Sequence, residues 1–408
     1  MLRAFLIIFI FALSSGVLLL LDFQQLLPFS MTKTKRPQAS PLEAFHNHFS
    51  AASRYGDRWQ QSLYPALAEG TRYTALWNRY APRTDFDTVV GAQDALERIH
   101  FPSAPNDIQA ENLACFIRKN NSDQETTPFP LPEKSTNTLL THWNLDAASA
   151  LAVHILRIEP SDRVLDLCAA PGGKSLAIAQ SIWPHLQPDY PGPPLPPAKK
   201  GALHSNEFDG PRNKRLADNL SAYLPSSLAQ SGQQKVLRLD GTKGASAFPL
   251  GPGGYDKVLV DAPCSSERHI IHAQAKMPVG RVADELSRWS PTSSKRLAET
   301  QVQLLLTAMR AIRIGGSVLY ATCSISDEEN DGVVEKALVQ IGKEQAKGAI
   351  RWGAGRLALD AEVERQLEGW AEKTGKGWIV LPDHAGGARW GPLCFTVLTK
   401  SQTESGVI

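Results

Sequence analysis

Two short runs of this sequence end in residues that could do chemistry together. Residues 257–264 read KVLVDAPC, and residues 320–324 read YATCS. Each is an apolar strand pattern that stops at polar residues. Val258, Leu259 and Val260 give way to Asp261, Pro263 and Cys264, while Val318 and Leu319 lead to Thr322 and Cys323. If the two strands are parallel neighbours in an α/β sheet, their carboxyl ends share the edge where such sheets bind ligands. One carboxylate and two thiols would then meet at one place.

That set fits carbon methylation of a pyrimidine. C5 of cytosine is not nucleophilic by itself. Addition of a thiolate at C6 turns C5 into an enamine carbon that can attack an electrophilic methyl, and a group bonded to N3 stabilises the charge that develops. The C5 proton must then leave and the thiol be expelled, which requires a base. A thiol, an acid and a base are needed, and Cys323, Asp261 and Cys264 can fill these roles. A nearby cation or helix N-terminus lowers a thiol pKa, and Lys174 is a candidate cation. Cysteines elsewhere read as small apolar packing, as Cys115 and Cys168 do.

These residues need a sheet to position them. Residues 163–167, 202–206, 236–239, 255–260 and 317–321 read as strands, with closing strands at 378–381 and 394–398. Helical patterns occupy 145–156, 175–182, 211–224 and 297–312, the last ended by Gly315 and Gly316. Strands alternating with helices predict a mostly parallel seven-stranded α/β sheet with helices on both faces, Rossmann-like, over residues 138–400. Residues 41–137 read as a small helical region. Its aromatics (Phe45, Phe49, Tyr55, Trp59, Tyr64, Tyr73, Trp77 and Tyr80) would form its core, and 119–137 would be a linker. The Pro-rich run 187–201 reads as a surface insertion.

The turn after the first strand is Cys168, Ala169, Ala170, Pro171, Gly172, Gly173, Lys174. It is neither GxGxxG nor GxxxxGKS, which argues against a dinucleotide fingerprint and a P-loop. Acids close the following strands: Glu207, Asp240 and Asp261. An acid at the second strand end holds ribose hydroxyls, and Asp240 with small Gly241 is placed to meet an adenine edge. Taken singly, each acid also reads as a helix cap; three in succession suit a cofactor with positive charge and no phosphate. S-adenosylmethionine is such a cofactor.

With 408 residues and a formal net charge of +2, the chain has no overall basic character. Nucleic-acid contact must come from local clusters. One is Lys199, Lys200, Arg212, Lys214 and Arg215; the other is Arg268, Lys276, Arg281, Arg288, Lys295 and Arg296, on a stretch that reads as a mobile loop over a splayed-out base. Five cysteines without a CxxC pair exclude a disulfide framework and a structural zinc site, and fit a reducing compartment. Residues 5–21 are apolar enough for a membrane anchor or signal core, unless Met31 is the true start. Lys33, Lys35 and Arg36 on the carboxyl side of that stretch would keep the body on the cytosolic or matrix side. Residues 31–40 read as a disordered basic stretch.

The stretches LDLCAAPGGK, VLVDAPCSSERH and YATCSISDEEN, in that order, resemble the signatures of the Nop/Sun-type RNA cytosine-C5 methyltransferases. The resemblance covers about 140–399, and LDAASALAVHIL with DAPCSSERH looks most like the mitochondrial ribosomal-RNA branch. It implies a class I methyltransferase fold, S-adenosylmethionine as methyl donor, RNA as substrate and a mitochondrial setting. It makes Cys323 the nucleophile, Cys264 the residue that helps release product, and Asp261 the contact to the target base beside the cofactor. Gly172, Gly173 and Lys174 would line the cofactor pocket, completed by Glu207, Arg212, Asp240 and Gly241. Glu207 stands where many relatives carry Asp, and no PUA-like RNA-binding module is visible, which leaves room for a protein partner in RNA targeting. Two other readings keep the same motifs: a DNA cytosine-5 methyltransferase, which would have no need of the TCS cysteine, and a silent assembly factor that binds RNA.

Overall fold

Alternate residues of the central strands are apolar on both sides, as a sheet covered on both faces requires. In the computed structural model, Val164, Leu259 and Leu319 enter one core while Leu165, Val258, Val260 and Val318 enter the other. The structure describes residues 40–51, 55–91, 93–105, 107, 112–119, 129–190 and 201–403. These lie in one compact unit, Ser40–Ile408. The apolar stretch 5–21, the basic run up to residue 39, Lys199, Lys200 and most of the Pro-rich run lie outside the described residues. Among the described residues, no helix is long and apolar enough to cross a membrane.

Seven strands form the frame: β1 (Arg163–Asp166), β2 (Ala202–Asn206), β3 (Gln234–Leu237), β4 (Tyr255–Asp261), β5 (Ile312–Thr322), β6 (Trp378–Val380) and β7 (Leu393–Gln402). Their order is β3-β2-β1-β4-β5-β7-β6. Pairs from β3 to β5 are parallel, and β7 runs antiparallel to both β5 and β6. Trp352–Arg356 pairs with β7 and Glu372–Lys373 with β6, which extends the sheet to nine strands. The chain winds outward from β1 through β2 to β3, then returns to β4. That reversal opens a crevice at the carboxyl ends of β1 and β4.

The helices that flank the site are α1 (Gly173–Ile182), α2 (Gly210–Tyr223), α3 (Glu267–Ala275), α4 (Pro291–Ala311) and α5 (Asp331–Ala346). Helix α2 starts where the side chain of Asp209 accepts from the Arg212 N–H, and α4 where Ser290 and Ser293 cap each other ahead of Pro291 at the first position. Leu304, Leu305 and Ala308 of α4 are buried, as their spacing predicted.

Three expectations are corrected. Gly315 and Gly316 do not end α4, which stops at Ala311. They lie inside β5, where the register jumps from Tyr255↔Ile312 to Lys257↔Ser317. Gly315 has φ +76°, and a Cβ on Gly316 would fall 2.9 Å from the Asp256 carbonyl oxygen, so this irregularity needs glycine. Second, the stretch after PCS is no loose loop: α3, the short helix Asp284–Arg288 and the start of α4 follow one another there.

Third, residues 41–137 are not helical throughout. The helices Pro41–Ala51, Tyr64–Ala68 and Arg83–Val90 are present, but Thr74–Trp77, Leu96–Arg98 and Cys115–Arg118 join His142–Leu145 in an antiparallel four-stranded sheet. Strands of three or four residues carry too little periodicity to be seen locally, and their pairing is long-range: Trp77 lies opposite His142. The early aromatics do not form one separate core either. Phe45, Phe49, Tyr55 and Trp59 pack with Ile270, Ile271 and Trp289 of the post-PCS segment, whereas Trp77 packs with Phe86 and Phe116. The first helices thus buttress the segment that carries Cys264.

Candidate active site

Because β4 and β5 are parallel neighbours with Asp261 opposite Ala321, the loops leaving them start side by side. Cys264 Sγ and Cys323 Sγ stand 3.2 Å apart. Ser266 Oγ lies 2.9 Å from Cys323 Sγ and 3.5 Å from Cys264 Sγ. Hydrogen bonds from the Cys264 thiol and the Ser266 hydroxyl converge on Cys323, and they hold its pKa below the usual thiol value against the opposing effect of burial. Loss of that bond on ionisation, together with burial, pushes Cys264 well up. The pair is therefore polarised, with Cys323 the readier thiolate.

Asp261 closes β4. Its carboxylate accepts from the Lys174 ammonium at 2.7 Å, and Lys174 also reaches Ser149 Oγ at 3.1 Å. Burial alone would lower the Lys174 pKa, but the charge and hydrogen bond of Asp261 outweigh it and hold the group above its ordinary value. Lys174 is a buried partner of Asp261, and its charge also interacts with that of Cys323, whose cavity it shares.

Two cavities meet at this point. The first, about 450 Å³, is lined by Cys168, Ala170, Glu207, Arg212, Asp240, Gly241, Asp261, Cys264 and Cys323. The second, about 470 Å³, is lined by Tyr73, Asp146, Ser149, Lys174, Arg268 and again Asp261 and Cys323. Asp261, Ser266 and Cys323 belong to both.

The first cavity lies in the volume range of small-molecule pockets and brings the acids of successive strand ends to one wall. Glu207 Oε1 accepts from the Asp209 N–H at 2.9 Å, and Oε2 pairs with Arg212 at 3.3 Å. Arg212 also donates to the Ala170 carbonyl at 3.1 Å, which ties the Gly-rich turn to the acid. Asp240 accepts from the Thr242 N–H and hydroxyl, whose bonds hold its pKa down. A Cβ on Gly241 would stand 2.7 Å from Leu304 Cδ2. Gly172 has φ +118°, and a Cβ on Gly173 would fall 2.6 Å from Trp143 Nε1. Ala169 is buried and donates to the Asn206 carbonyl; the Pro171 carbonyl accepts from Asn219. Burial raises the Cys168 pKa well above the thiol range, in keeping with a packing role.

Several residues escaped the sequence reading. Asn206 is buried and bonds the Leu167 and Leu239 carbonyls and the Leu239 N–H, so it sets the spacing of strand ends. Phe208, 60% exposed, lines the first cavity beside Glu207; its signal was an aromatic between two acids. Arg268 lines the second cavity and is also a buried tie: its guanidinium donates to the carbonyls of Gly391, Glu69 and Gly70. Asp146 caps the helix Ala147–Ile155 and accepts from the Gly391 N–H at 2.9 Å.

Comparison with known proteins fits this geometry. Residues 153–352 match the family described as 16S rRNA methyltransferase RsmB/F. The mitochondrial tRNA (cytosine(34)-C(5))-methyltransferase of Danio rerio is 32% identical over 311 residues, covering 74% of this chain and 75% of that protein. The chain belongs to the RsmB/F (Nop/Sun) family of RNA cytosine-C5 methyltransferases. The 5-cytosine rRNA methyltransferase NSUN4 of Mus musculus is 30% identical over 323 residues, covering 75% of this chain and 76% of that one. Among solved structures, NSun6 from Pyrococcus horikoshii with SFG superposes with a TM-score of 0.55 at 15% identity, over 90% of this chain and 99% of that one. That likeness speaks for the class I methyltransferase fold. In this family member, the motifs singled out in the sequence fall on the carboxyl edge of the sheet where the two cavities join.

Proposed function

We propose that the protein methylates C5 of a cytosine in ribosomal RNA, with S-adenosylmethionine in the first cavity and the target base in the second. The observation that carries this reading is the Cys264–Cys323 pair, 3.2 Å apart, at the junction of the two cavities beside Asp261. Glu207 would hold the ribose hydroxyls, Asp240 and Gly241 the adenine, and residues 168–173 the methionine moiety. Bound there, the donor supplies an electrophilic methyl group.

The protein's own groups do the rest. Cys323 attacks C6 as a thiolate and forms the S–C6 bond. Asp261 reaches N3, with Lys174 as the source of the proton that the developing negative charge needs. After C5 is methylated, the proton returns from N3 by way of Asp261 to Lys174, a base carried by solvent takes the C5 proton, the C5=C6 bond re-forms and the S–C6 electron pair returns to Cys323. Cys264, beside that sulfur, is placed to assist this release.

Replacing Cys264 with Ala and incubating with RNA and donor should accumulate a protein–RNA adduct that survives denaturing electrophoresis. The Cys323→Ala protein should give neither adduct nor methylated product, a loss of about 10⁴-fold or more. An adduct formed by Cys323→Ala would reverse the two roles. A DNA methyltransferase reading is disfavoured by membership of an RNA methyltransferase family and by Cys323 itself, which that reaction would leave idle, and a silent binding module by two thiols 3.2 Å apart where the cavities join.

A transfer RNA target is the second reading, supported by the name of the Danio rerio relative. Bisulfite sequencing of both RNA classes from cells lacking the protein separates the two. The same name supports residence in the mitochondrion; within it, we place the protein in the matrix or on the matrix side of the inner membrane. Fractionation of the tagged full chain beside one starting at Met31 tests this, along with membrane contact through residues 5–21. A targeting partner would be sought by crosslinking in the same cells.

A further inference from the structure

Behind the two sulfurs lies a polar cluster that the reaction just described does not use. Glu267, first residue of α3, and Glu329, just before α5, are both fully buried. Ser265 Oγ stands between them, 2.5 Å from Glu329 Oε1 and in short contact with Glu267 Oε1. It also lies 3.1 Å from Ser324 Oγ. Ser324 Oγ in turn is 3.2 Å from Glu267 Oε1. The remaining bonds cross between loops. Glu329 Oε2 accepts from the Ser265 N–H at 3.0 Å and from Gln301 at 2.9 Å, and Glu267 Oε2 accepts from the Ile325 N–H at 3.0 Å. Each acid sits on one cysteine loop and grips the other.

The hydrogens do not suffice if both acids are ionised. Ser265 has one hydroxyl hydrogen and three oxygens around it. If it donates to Glu329, its contact with Glu267 needs a hydrogen from the glutamate itself. No cation offsets the charge. Among the described residues neither acid makes an ion pair. The titratable groups nearby include Cys264, Cys323, the adjacent Glu328, which accepts from the Ser326 hydroxyl, Tyr55, whose hydroxyl donates to the Ile325 carbonyl, and Tyr320, whose hydroxyl donates to the Glu329 carbonyl. Neighbouring Arg268 is committed to main-chain carbonyls, and α4 contributes neutral Gln301. Two buried carboxylates at this spacing cannot both ionise cheaply.

We infer that Glu267 and Glu329 hold one proton between them, and that this neutralised pair positions the two cysteine loops and spares Cys323 a second nearby negative charge. Burial and the charge of Glu329 raise the Glu267 pKa to about 7, which places the proton on Glu267. Ionised Glu267 acts to raise the Cys323 pKa. An acid whose pKa is raised on folding stabilises the fold below its unfolded value, and that contribution is lost as pH rises towards about 7. The clamp and the thiolate should therefore both weaken on the alkaline side.

The inference rests on Cys323 as the attacking thiol, but its test needs no RNA. Glu267→Gln keeps the shape and supplies a permanent donor. In the full-length protein, iodoacetamide labelling of Cys323, located by peptide mass spectrometry, would be followed from pH 6 to 9. Above pH 7, Glu267→Gln should label roughly threefold to tenfold faster than the wild type, and Glu267→Ala should lose the advantage. Asp166 and Asp146 are also buried acids with raised pKa values, so the reading is the difference spectrum: wild type minus Glu267→Gln should show the infrared carbonyl band of one buried carboxylic acid. Superposed labelling profiles for the wild type and Glu267→Gln, or no acid band in that difference for proteins that fold normally, would overturn the inference. Neither result would touch the adduct experiment, which tests the catalytic reading separately.

Discussion

The two cavities that share Asp261 are built in different ways. The first cavity, which we assign to the donor, is made mostly from residues at successive strand ends: the turn after β1, Glu207 after β2, Asp240 after β3 and Asp261 on β4, with Arg212 of α2 and Thr300 and Leu304 of α4 beside them. The acceptor cavity draws its walls from five distant places, namely Thr71 and Tyr73, Asp146–Ser149, Lys174, Arg268–His272 and Gly391–Leu393. A cofactor common to a whole fold class can be held by the sheet itself. A particular RNA needs a surface that loops can reshape without disturbing the sheet. Asp261 belongs to both designs, fixed by β4 and tied through Lys174 to the acceptor wall.

The sharpest way to break this comparison is to cut that tie. Asp261→Asn keeps the shape but loses the charge that holds Lys174 and the acid that meets N3. Methyl transfer should fall about 10²- to 10³-fold in kcat, while donor affinity measured by calorimetry changes little. A mutant that loses donor binding in the same proportion would show that Asp261 serves the donor cavity alone.

A smaller effect should separate the two sides. Tyr73, on the antiparallel N-terminal sheet side, contributes an aromatic face to the acceptor cavity only. Base–aromatic stacking is worth about 1–3 kcal/mol. Tyr73→Ala should raise KM for RNA about tenfold and leave the donor Kd unchanged. Equal changes in both constants would mean that the N-terminal region supports the fold as a whole and not the base.

The contrast also explains what could be read from the sequence. Asp261, Cys264 and Cys323 were legible because strand patterns stop abruptly at them, and parallel neighbours bring such stops together. The Gly-rich turn, Glu207 and Asp240 were legible for the same reason. The cavity-lining places of Tyr73 and Arg268 were not, because that wall is assembled from distant segments, and Arg268 is held by contacts with Gly391 and Glu69 that no local period records. Burial, invisible in a charge count, makes Arg268 a tie between three loops as well as a wall of the second cavity. Gly315 and Gly316 failed differently: glycine marks a break in regular geometry, but a helix end and a strand bulge look alike in one dimension.

The gentlest test lies on the donor side, at Phe208. A large apolar side chain 60% exposed on the wall of a polar cavity is a poor stabiliser of the fold, so its packing value must come from something placed against it. The acids around it offer hydrogen bonds to a nucleoside but no flat surface, and the ring supplies that surface. Phe208→Ala should weaken donor binding about threefold, the low end of what an aromatic contact contributes. It should leave both the melting temperature and KM for RNA where they were, because the ring touches neither core nor acceptor wall. Phe208→Leu, which keeps apolar bulk without the π face, should fall between. A drop in melting temperature without a change in donor affinity would place the ring in the fold and not in the site.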